Sequence, residues 1–245
     1  IRNLLETNRV WCAYALADLE PSQAAQCDWL TGERAVILVY RGLEPPVLFA
    51  HGSPVELAGL LDQVPPGAYQ YTLMGADRAL LGGRLRSDRE IRMWRMALRP
   101  QAFQARLAEG AVSLAEKDLP EIQALFDNYP DRPDAFHKRQ LQEGIFFGVR
   151  QDGELASVSG THVISKTHGI GAIGNVFTRP DTRGQGLATK ATAAVVRTLL
   201  EGGIRTIVLN VAMDNEPAIR CYRSLGFWPF CGYDEGLGEL GSAVD

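Results

Sequence analysis

The second half of the chain shows the clearest alternation between strand-like and helix-like spacing of apolar residues. Short β-branched or alternating runs predict strands, and apolar residues that recur every four positions predict a long helix between the last two of them. A final helix is predicted to start after Asp214 or Asn215 and to stop at Gly226. The predicted strands cover residues 144–149, 155–164, 171–178 and 206–211, and the long helix covers residues 187–200.

The first half shows shorter elements in a similar order. Its apolar runs are bounded by Gly and Pro, and Ser53 followed by Pro54 is typical of a helix start. The predicted strands cover residues 35–40, 46–50, 69–73 and 91–98, and the helix covers residues 54–64.

Residues 101–111 carry no strong strand pattern, and we interpret them as a linker. We therefore place a domain boundary near Ala108, with one domain at residues 1–108 and a second at residues 109–245. No repeat of solenoid length is present, although the order of elements in the two domains is similar.

Composition excludes several classes of protein. The chain has 245 residues, 46% of them apolar, with 25 basic and 29 acidic residues and a net charge of −4. A strongly basic protein that binds nucleic acid or an anionic membrane would have a pI above about 9, whereas this pI is 5.7. We predict neither a nucleic-acid nor a membrane partner.

The four cysteines indicate neither a disulfide framework nor a metal site, because they form no CxxC pair and have no histidines clustered around them. We predict no bound metal and a cytoplasmic location. No signal peptide and no membrane span is predicted, and since the chain starts at Ile1 rather than Met, we expect the natural N-terminus upstream. The cysteines are Cys12, Cys27, Cys221 and Cys231.

A glycine-rich turn at residues 183–186 joins a predicted strand to the start of the long helix. Such a turn exposes several backbone N–H groups, and the helix start adds about half a positive charge, so both favour a phosphate or pyrophosphate. Gly184 and Gly186 would let a ligand approach without a Cβ clash. A simple tight turn is the alternative.

The second pattern pairs Asn215 with Tyr222 on the last helix. Seven residues at about 100° each bring them nearly into line on one face. A tyrosine there could donate its phenolic proton, although a lone helical tyrosine is more often a core residue.

Together the two patterns resemble the GNAT family of N-acyltransferases. The family pattern Arg/Gln-x-x-Gly-x-Gly/Ala is matched by Arg183, Gly186 and Ala188. The later pattern is matched at Asn215, Ala218, Tyr222, Gly226 and Phe227. The resemblance implies a mixed α+β fold with a mostly antiparallel, splayed central sheet flanked by helices. It also implies a tandem of two such domains, the first degenerate and without a cofactor turn.

The resemblance also implies roles for individual residues. Tyr222 would be the general acid, Asn215 would bind the cofactor arm, and a backbone N–H near Val176 would stabilise the oxyanion. The implied reaction moves an acetyl or short acyl group from acetyl-CoA or another acyl-CoA to a primary amine, by direct attack in a ternary complex. The implied cofactor-binding residues are Val176, Phe177, Thr178, Arg183, Gly184, Gln185, Gly186, Leu187, Ala188, Thr189 and Asn215.

The acceptor side leaves alternatives open. Some relatives carry a basic Glu five residues before the matched Asn, and here that position is Asn210, which cannot take a proton. His137, Glu143 and His162 are candidate bases, and a water chain is the other route. The acceptor is a small-molecule or peptide amine, and a homodimer is left open. The alternative function is a catalytically weak sensor or regulator that binds CoA.

Overall fold

The computed structural model describes residues 1–130, 133 and 136–242. The helices are α1 (Arg2–Glu6), α2 (Ala13–Ala17), α3 (Pro54–Leu61), α4 (Gly75–Leu80), α5 (Leu119–Asp127), α6 (Lys138–Glu143), α7 (Leu187–Glu201) and α8 (Glu216–Ser224). The strands are β1 (Cys27–Thr31), β2 (Ala35–Tyr40), β3 (Val47–Gly52), β4 (Gly67–Leu73), β5 (Leu85–Leu98), β6 (Val112–Leu114), β7 (Phe146–Gln151), β8 (Glu154–Ser165), β9 (Ile170–Thr178), β10 (Thr206–Ala212) and β11 (Phe227–Leu240).

The chain folds into two compact units. The first comprises Ile1–Arg95, Val211–Asp214 and Pro229–Asp245, and the second comprises Met96–Asn210 and Asn215–Trp228. This grouping differs from a single cut near Ala108, because the end of the chain joins the first unit. The assignment of domains to residues 1–108 and 109–245 stays a prediction.

The first unit contains a mostly antiparallel sheet. Strands β1 and β2 pair antiparallel, as do β2 and β3, whereas β3 and β4 run parallel. Helix α3 connects the parallel pair, as a crossover between parallel strands requires. Strand β11 then pairs antiparallel with β4, from Asp234 opposite Leu73 to Leu240 opposite Gly67.

The second unit repeats this order of connections. Strands β6, β7, β8 and β9 pair antiparallel in sequence, and β9 and β10 run parallel. Helix α7 connects that parallel pair, as α3 does in the first unit. The predicted mixed fold with a mostly antiparallel sheet is therefore confirmed.

Each unit has its own apolar core. In the second unit, Phe177 of β9 packs edge-on against Phe126 of α5, with ring centroids 5.9 Å apart. In the first unit, the guanidinium of the buried Arg95 lies 4.7–5.5 Å from the ring centroids of Trp11, Tyr14 and Tyr233. Cation–π contacts of this kind partly compensate a charge that is held away from water.

The end of β11 belongs to the core of the first unit, which leads to a stability prediction. Leu240 is 2% exposed and lies in the apolar cluster of β2, β3, β4 and α3. We expect Leu240→Ala to lower the free energy of unfolding by about 2–5 kcal/mol, since it leaves a cavity. Leu237 on the same strand is 53% exposed, so Leu237→Ala is the matched control, with an effect of about 0.5 kcal/mol or less. Equal effects of both variants in urea unfolding would contradict this placement.

Candidate functional site

The site starts where two parallel strands separate. Strands β9 and β10 pair from Ile170 and Thr206 up to Ile173 and Leu209. Strand β9 then continues for residues 174–178, and in the described part of the chain these five residues make no ladder pair with β10. The separation leaves one edge of β9 available to an extended ligand, as in the addition of a strand to a sheet.

Two β-bulges lie beside this separation. Between the pairs Val158–Phe177 and Gly160–Gly174, β9 advances three residues while β8 advances two. The bulge contains Asn175 and Val176 of β9. Asn175 has a φ of 52°, a left-handed value that Asn tolerates better than most residues. A second bulge inserts His162 into β8. Bulges reorient side chains and backbone next to active sites.

The glycine-rich turn takes the conformation that an anion site requires. Gly184 and Gly186 have φ values of 80° and 76°, and a Cβ at either position would meet open space. Gly186 is the N-cap of α7, so no side chain caps this helix start. The first N–H groups of α7 have no partner within the helix and remain free to bind a ligand.

Side chains hold the turn against β9. The Nε atom of Arg183 donates to the Thr178 carbonyl at 3.0 Å, and its guanidinium lies 5.7 Å from the Phe177 ring centroid. Gln151 Nε2 donates to Gln185 Oε1 at 3.2 Å. The structure therefore brings together predicted residues from the strand and from the turn.

The remaining predicted residues at the start of α7 differ in their roles. Leu187 packs into an apolar cluster with Val149, Ala156 and Ala191, so only its backbone is available to a ligand. The Thr189 hydroxyl lies 3.3 Å from the Cys221 sulfur, which connects the first turn of α7 to α8.

Asn215 is the N-cap of α8, and Tyr222 lies on the last turn of this helix. The Oδ1 atom of Asn215 accepts a hydrogen bond from the Ala218 N–H at 3.2 Å, so it caps the helix, while its Nδ2 group can still donate. The Tyr222 ring packs against Phe227 with centroids 6.2 Å apart. The seven-residue spacing therefore separates the N-cap of α8 from a residue on the last turn of the same helix.

The Tyr222 side chain is buried in the second unit. The residue is 7% exposed, and burial raises the pKa of its phenol well above the ordinary value of 10, with a smaller effect from Cys221. Among the described residues, the hydroxyl forms no hydrogen bond. A phenol of this kind stays protonated throughout the physiological pH range.

The structure separates the three candidate bases. His137 is exposed and is the N-cap of α6, and Glu143 is exposed and pairs with Arg139 at 2.8 Å. Of the three candidate bases, His162 is the one that lies beside the bulge of β9. Sequence reasoning missed Asn175, although Gly followed by Asn inside a strand is typical of a bulge.

The part of the chain that the structure describes contains neither a candidate metal site nor a candidate membrane-spanning helix. Among the described residues, no cluster of three or more His, Cys, Asp or Glu side chains could hold a metal ion. No helix there is long and apolar enough to cross a membrane.

Sequence comparison identifies relatives of known class. A mycothiol acetyltransferase from Nocardiopsis dassonvillei is 31% identical over 142 residues, which are 54% of this chain and 38% of that protein. One from Rhodococcus jostii is 27% identical over 88% of this chain and 72% of the relative. The [ribosomal protein bS18]-alanine N-acetyltransferase of Escherichia coli is 29% identical over 47% of this chain and 78% of that enzyme. Several other mycothiol acetyltransferases match over only 26–30% of their own length.

Solved structures share the fold along most of the chain. A GNAT-family acetyltransferase from Novosphingobium aromaticivorans has a TM-score of 0.61 and 24% identity, with 93% of this chain and 96% of that one covered. A tandem GNAT protein from the clavulanic acid biosynthesis pathway has a TM-score of 0.56 and 13% identity, with 94% and 88% covered. The model of the acetyltransferase (GNAT) family matches residues 90–227. With the splayed strands and the glycine turn at the start of α7, this match establishes that the chain belongs to the GNAT family of acetyltransferases.

Proposed function

We propose that the protein transfers an acetyl group from acetyl-CoA to a primary amine, by direct attack in a ternary complex. The observation that carries the proposal is the combination of a splayed β9 edge with an uncapped helix start that follows two left-handed glycines. Acetyl-CoA is the co-substrate of the family to which the chain belongs.

Backbone groups would bind most of the CoA. The N–H groups of residues 184–189 and the positive end of α7 suit the pyrophosphate. The edge of β9 at residues 176–178 suits the pantetheine arm, and the Asn215 amide can donate to it. Because Arg183 is held at Thr178 and Phe177, its positive charge lies between the two parts of this site.

The chemistry then needs few side chains. The amine nitrogen forms a bond to the thioester carbon, and the oxyanion is stabilised by a backbone N–H near Val176. When the tetrahedral intermediate collapses, the C–S bond breaks and sulfur leaves with the electron pair. Tyr222 is the proton donor to that sulfur, because its hydroxyl is protonated and has no partner among the described residues.

The acceptor is a small-molecule or peptide amine. Relatives carry names that refer to mycothiol and to an alanine of a ribosomal protein, so both kinds of acceptor occur among proteins similar to this chain. A panel of small amines and short peptides, assayed for amine-dependent release of free thiol from acetyl-CoA, tests the proposal. CoA binding without thiol release from any member would instead favour the CoA-sensor alternative.

The first unit is expected not to bind CoA. Its helix α3 starts at Pro54 with Ser53 as the N-cap, without the glycine turn that precedes α7. Isothermal titration calorimetry should therefore give one CoA per chain. Two CoA molecules per chain would contradict the expectation.

A further inference from the structure

We propose that His162, Asn175 and Asn210 form the subsite for the acceptor amine, and that the His162 imidazole takes the proton that the amine loses. This inference rests on the proposed function, since it assigns the acceptor side of the same reaction. It makes His162 a catalytic residue and Asn175 a positioning residue.

His162 and Asn210 lie on one face of the sheet where β9 and β10 separate. The last ladder pair between β9 and β10 is Ile173 with Leu209, so the residues that follow on the two strands are Gly174 and Asn210. Laterally adjacent residues on parallel strands point to the same face. A Cβ at Gly174 would overlap the imidazole of His162, so the ring lies directly over Gly174. The imidazole and the Asn210 side chain therefore share this face.

Asn175 is held beside the ring by a helix of the same unit. The residue is 3% exposed, and its Nδ2 group donates to Gln140 Oε1 on α6 at 3.0 Å. The same Gln140 oxygen accepts from the His137 backbone N–H at 3.0 Å, which fixes it at the start of α6. With Nδ2 engaged by Gln140, the Oδ1 atom of Asn175 is left within reach of the His162 ring.

The buried amide oxygens of this group can accept hydrogen bonds from an amine. Oδ1 of Asn210 accepts none from a described residue, and Oδ1 of Asn175 has the His162 imidazole beside it. A buried acceptor without a donor costs about 1–3 kcal/mol. A primary amine carries several N–H donors and suits this group of acceptors, whereas a carboxylate would be repelled by them.

The imidazole is in the right protonation state to act as a base. Burial lowers the pKa of His162 to about 4, and its interaction with Asn175 offsets this only in part. Charged side chains near β8 form three ion pairs in the described part of the chain. These pairs are Lys138 with Glu116, Arg139 with Glu143, and Arg150 with Glu121.

The proton balance of the step is complete. As the C–N bond forms, the amine N–H proton passes to the neutral imidazole. Tyr222 gives a proton to the sulfur as the C–S bond breaks. His162 then loses its proton to solvent and Tyr222 regains one, so amine and thioester become amide and thiol without another reactant.

The test compares kcat and CoA affinity of the wild type with those of His162→Ala and His162→Gln. We expect kcat at neutral pH to fall by about 10²–10⁴-fold while CoA affinity is unchanged. Added imidazole should restore part of the activity of His162→Ala, because that variant has space above Gly174. His51, which is half-buried and also has a lowered pKa, lies in the first unit, and His51→Gln is the control with unchanged kcat.

The pH profile separates proton transfer from a structural role. Asn175→Asp places a carboxylate beside the imidazole, which raises the pKa of His162. Since the base must be neutral, the acidic limb of the kcat profile should move to higher pH. A kcat of His162→Ala within threefold of wild type, or a loss with neither imidazole rescue nor a shifted limb in Asn175→Asp, would overturn the proposal.

An amine-binding measurement tests the subsite even if the protein has no transferase activity. If no amine releases thiol with the wild type, the proposed function fails, and binding alone decides the subsite. Methylamine is then titrated into the CoA complex while the His162 ring resonances are followed by NMR. A saturable shift that Asn175→Ala abolishes supports the subsite, and the absence of a saturable shift refutes it.

Discussion

Gly186→Val is expected to weaken CoA binding at least 10- to 100-fold while the protein remains folded. Gly186 has a φ of 76° and precedes the first N–H groups of α7. Valine would strain this conformation and would add a side chain in the open space beside the turn. Losing one charge-assisted hydrogen bond of about 1.5–3 kcal/mol corresponds to that range of affinity.

The other end of the same helix provides the control. Gly203 follows α7 with a φ of 84°, and a Cβ there would also meet open space. Gly203→Val should therefore cost a similar amount of stability, of the order of 1–2 kcal/mol or more. Calorimetry should show lost CoA affinity in Gly186→Val alone. Equal CoA affinity in the two folded variants would refute the assignment of the turn.

Tyr222→Phe is expected to lower kcat by about 10²–10⁴-fold and to leave the melting temperature nearly unchanged. The ring and its packing against Phe227 are kept, and no described residue loses a hydrogen bond. The leaving thiolate has a pKa near 8.5, so it benefits from a donor without strictly requiring one. Because burial raises the pKa of the phenol, full proton transfer is uphill, which places the expected loss near the lower limit.

Tyr71→Phe is the matched control for loss of a hydroxyl. Tyr71 is buried in the first unit and donates to Glu90 Oε2 at 2.7 Å. This variant should lose about 1–3 kcal/mol of stability and no activity. If Tyr222→Phe instead keeps wild-type kcat, Tyr222 only lines the site, and another group or water protonates the sulfur.

The elements of the site were predictable because their determinants are local. The four-residue apolar spacing predicts α7 to within one residue at its end, and the N-cap candidates and Gly226 predict α8. The glycine turn is predicted by its motif, and its left-handed glycines agree with it. The cap role of Asn215 could not be separated from its proposed role in cofactor binding, because helix capping and ligand binding favour the same residue type.

Long-range features were not predictable from the pattern. Strand β11 runs from Phe227 to Leu240, beyond the last element that the sequence pattern predicts. Glycine is unfavourable inside a strand, which hides the end of this strand in the sequence pattern. In the structure, a Cβ at Gly236 would collide with the Tyr71 side chain, and one at Gly238 would collide with the Arg86 backbone. The sequence pattern does not predict helices α1 and α2 or strand β1, because an element of about five residues is too short to show a clear apolar period.

The residues of the proposed amine subsite could not be grouped from the sequence pattern either. Its residues come from β8, β9 and β10, and only the strand register and two bulges bring them to one place. A shift of register by one residue would turn Asn210 to the other face. His162 was one of three candidates by residue type, and the bulges distinguish it from His137 and Glu143.

If the protein transfers acetyl groups to amines, free CoA and acetylated amine must form in equal amounts, and measuring both tests the proposed reaction. Wild-type protein is incubated with acetyl-CoA and an amine of the panel, and mass spectrometry quantifies free CoA and acetylated amine together. Equal amounts of the two are expected, formed only when protein and amine are both present. Bound acetyl-CoA that stays intact with every amine, or CoA released without any amide, would contradict the proposed reaction.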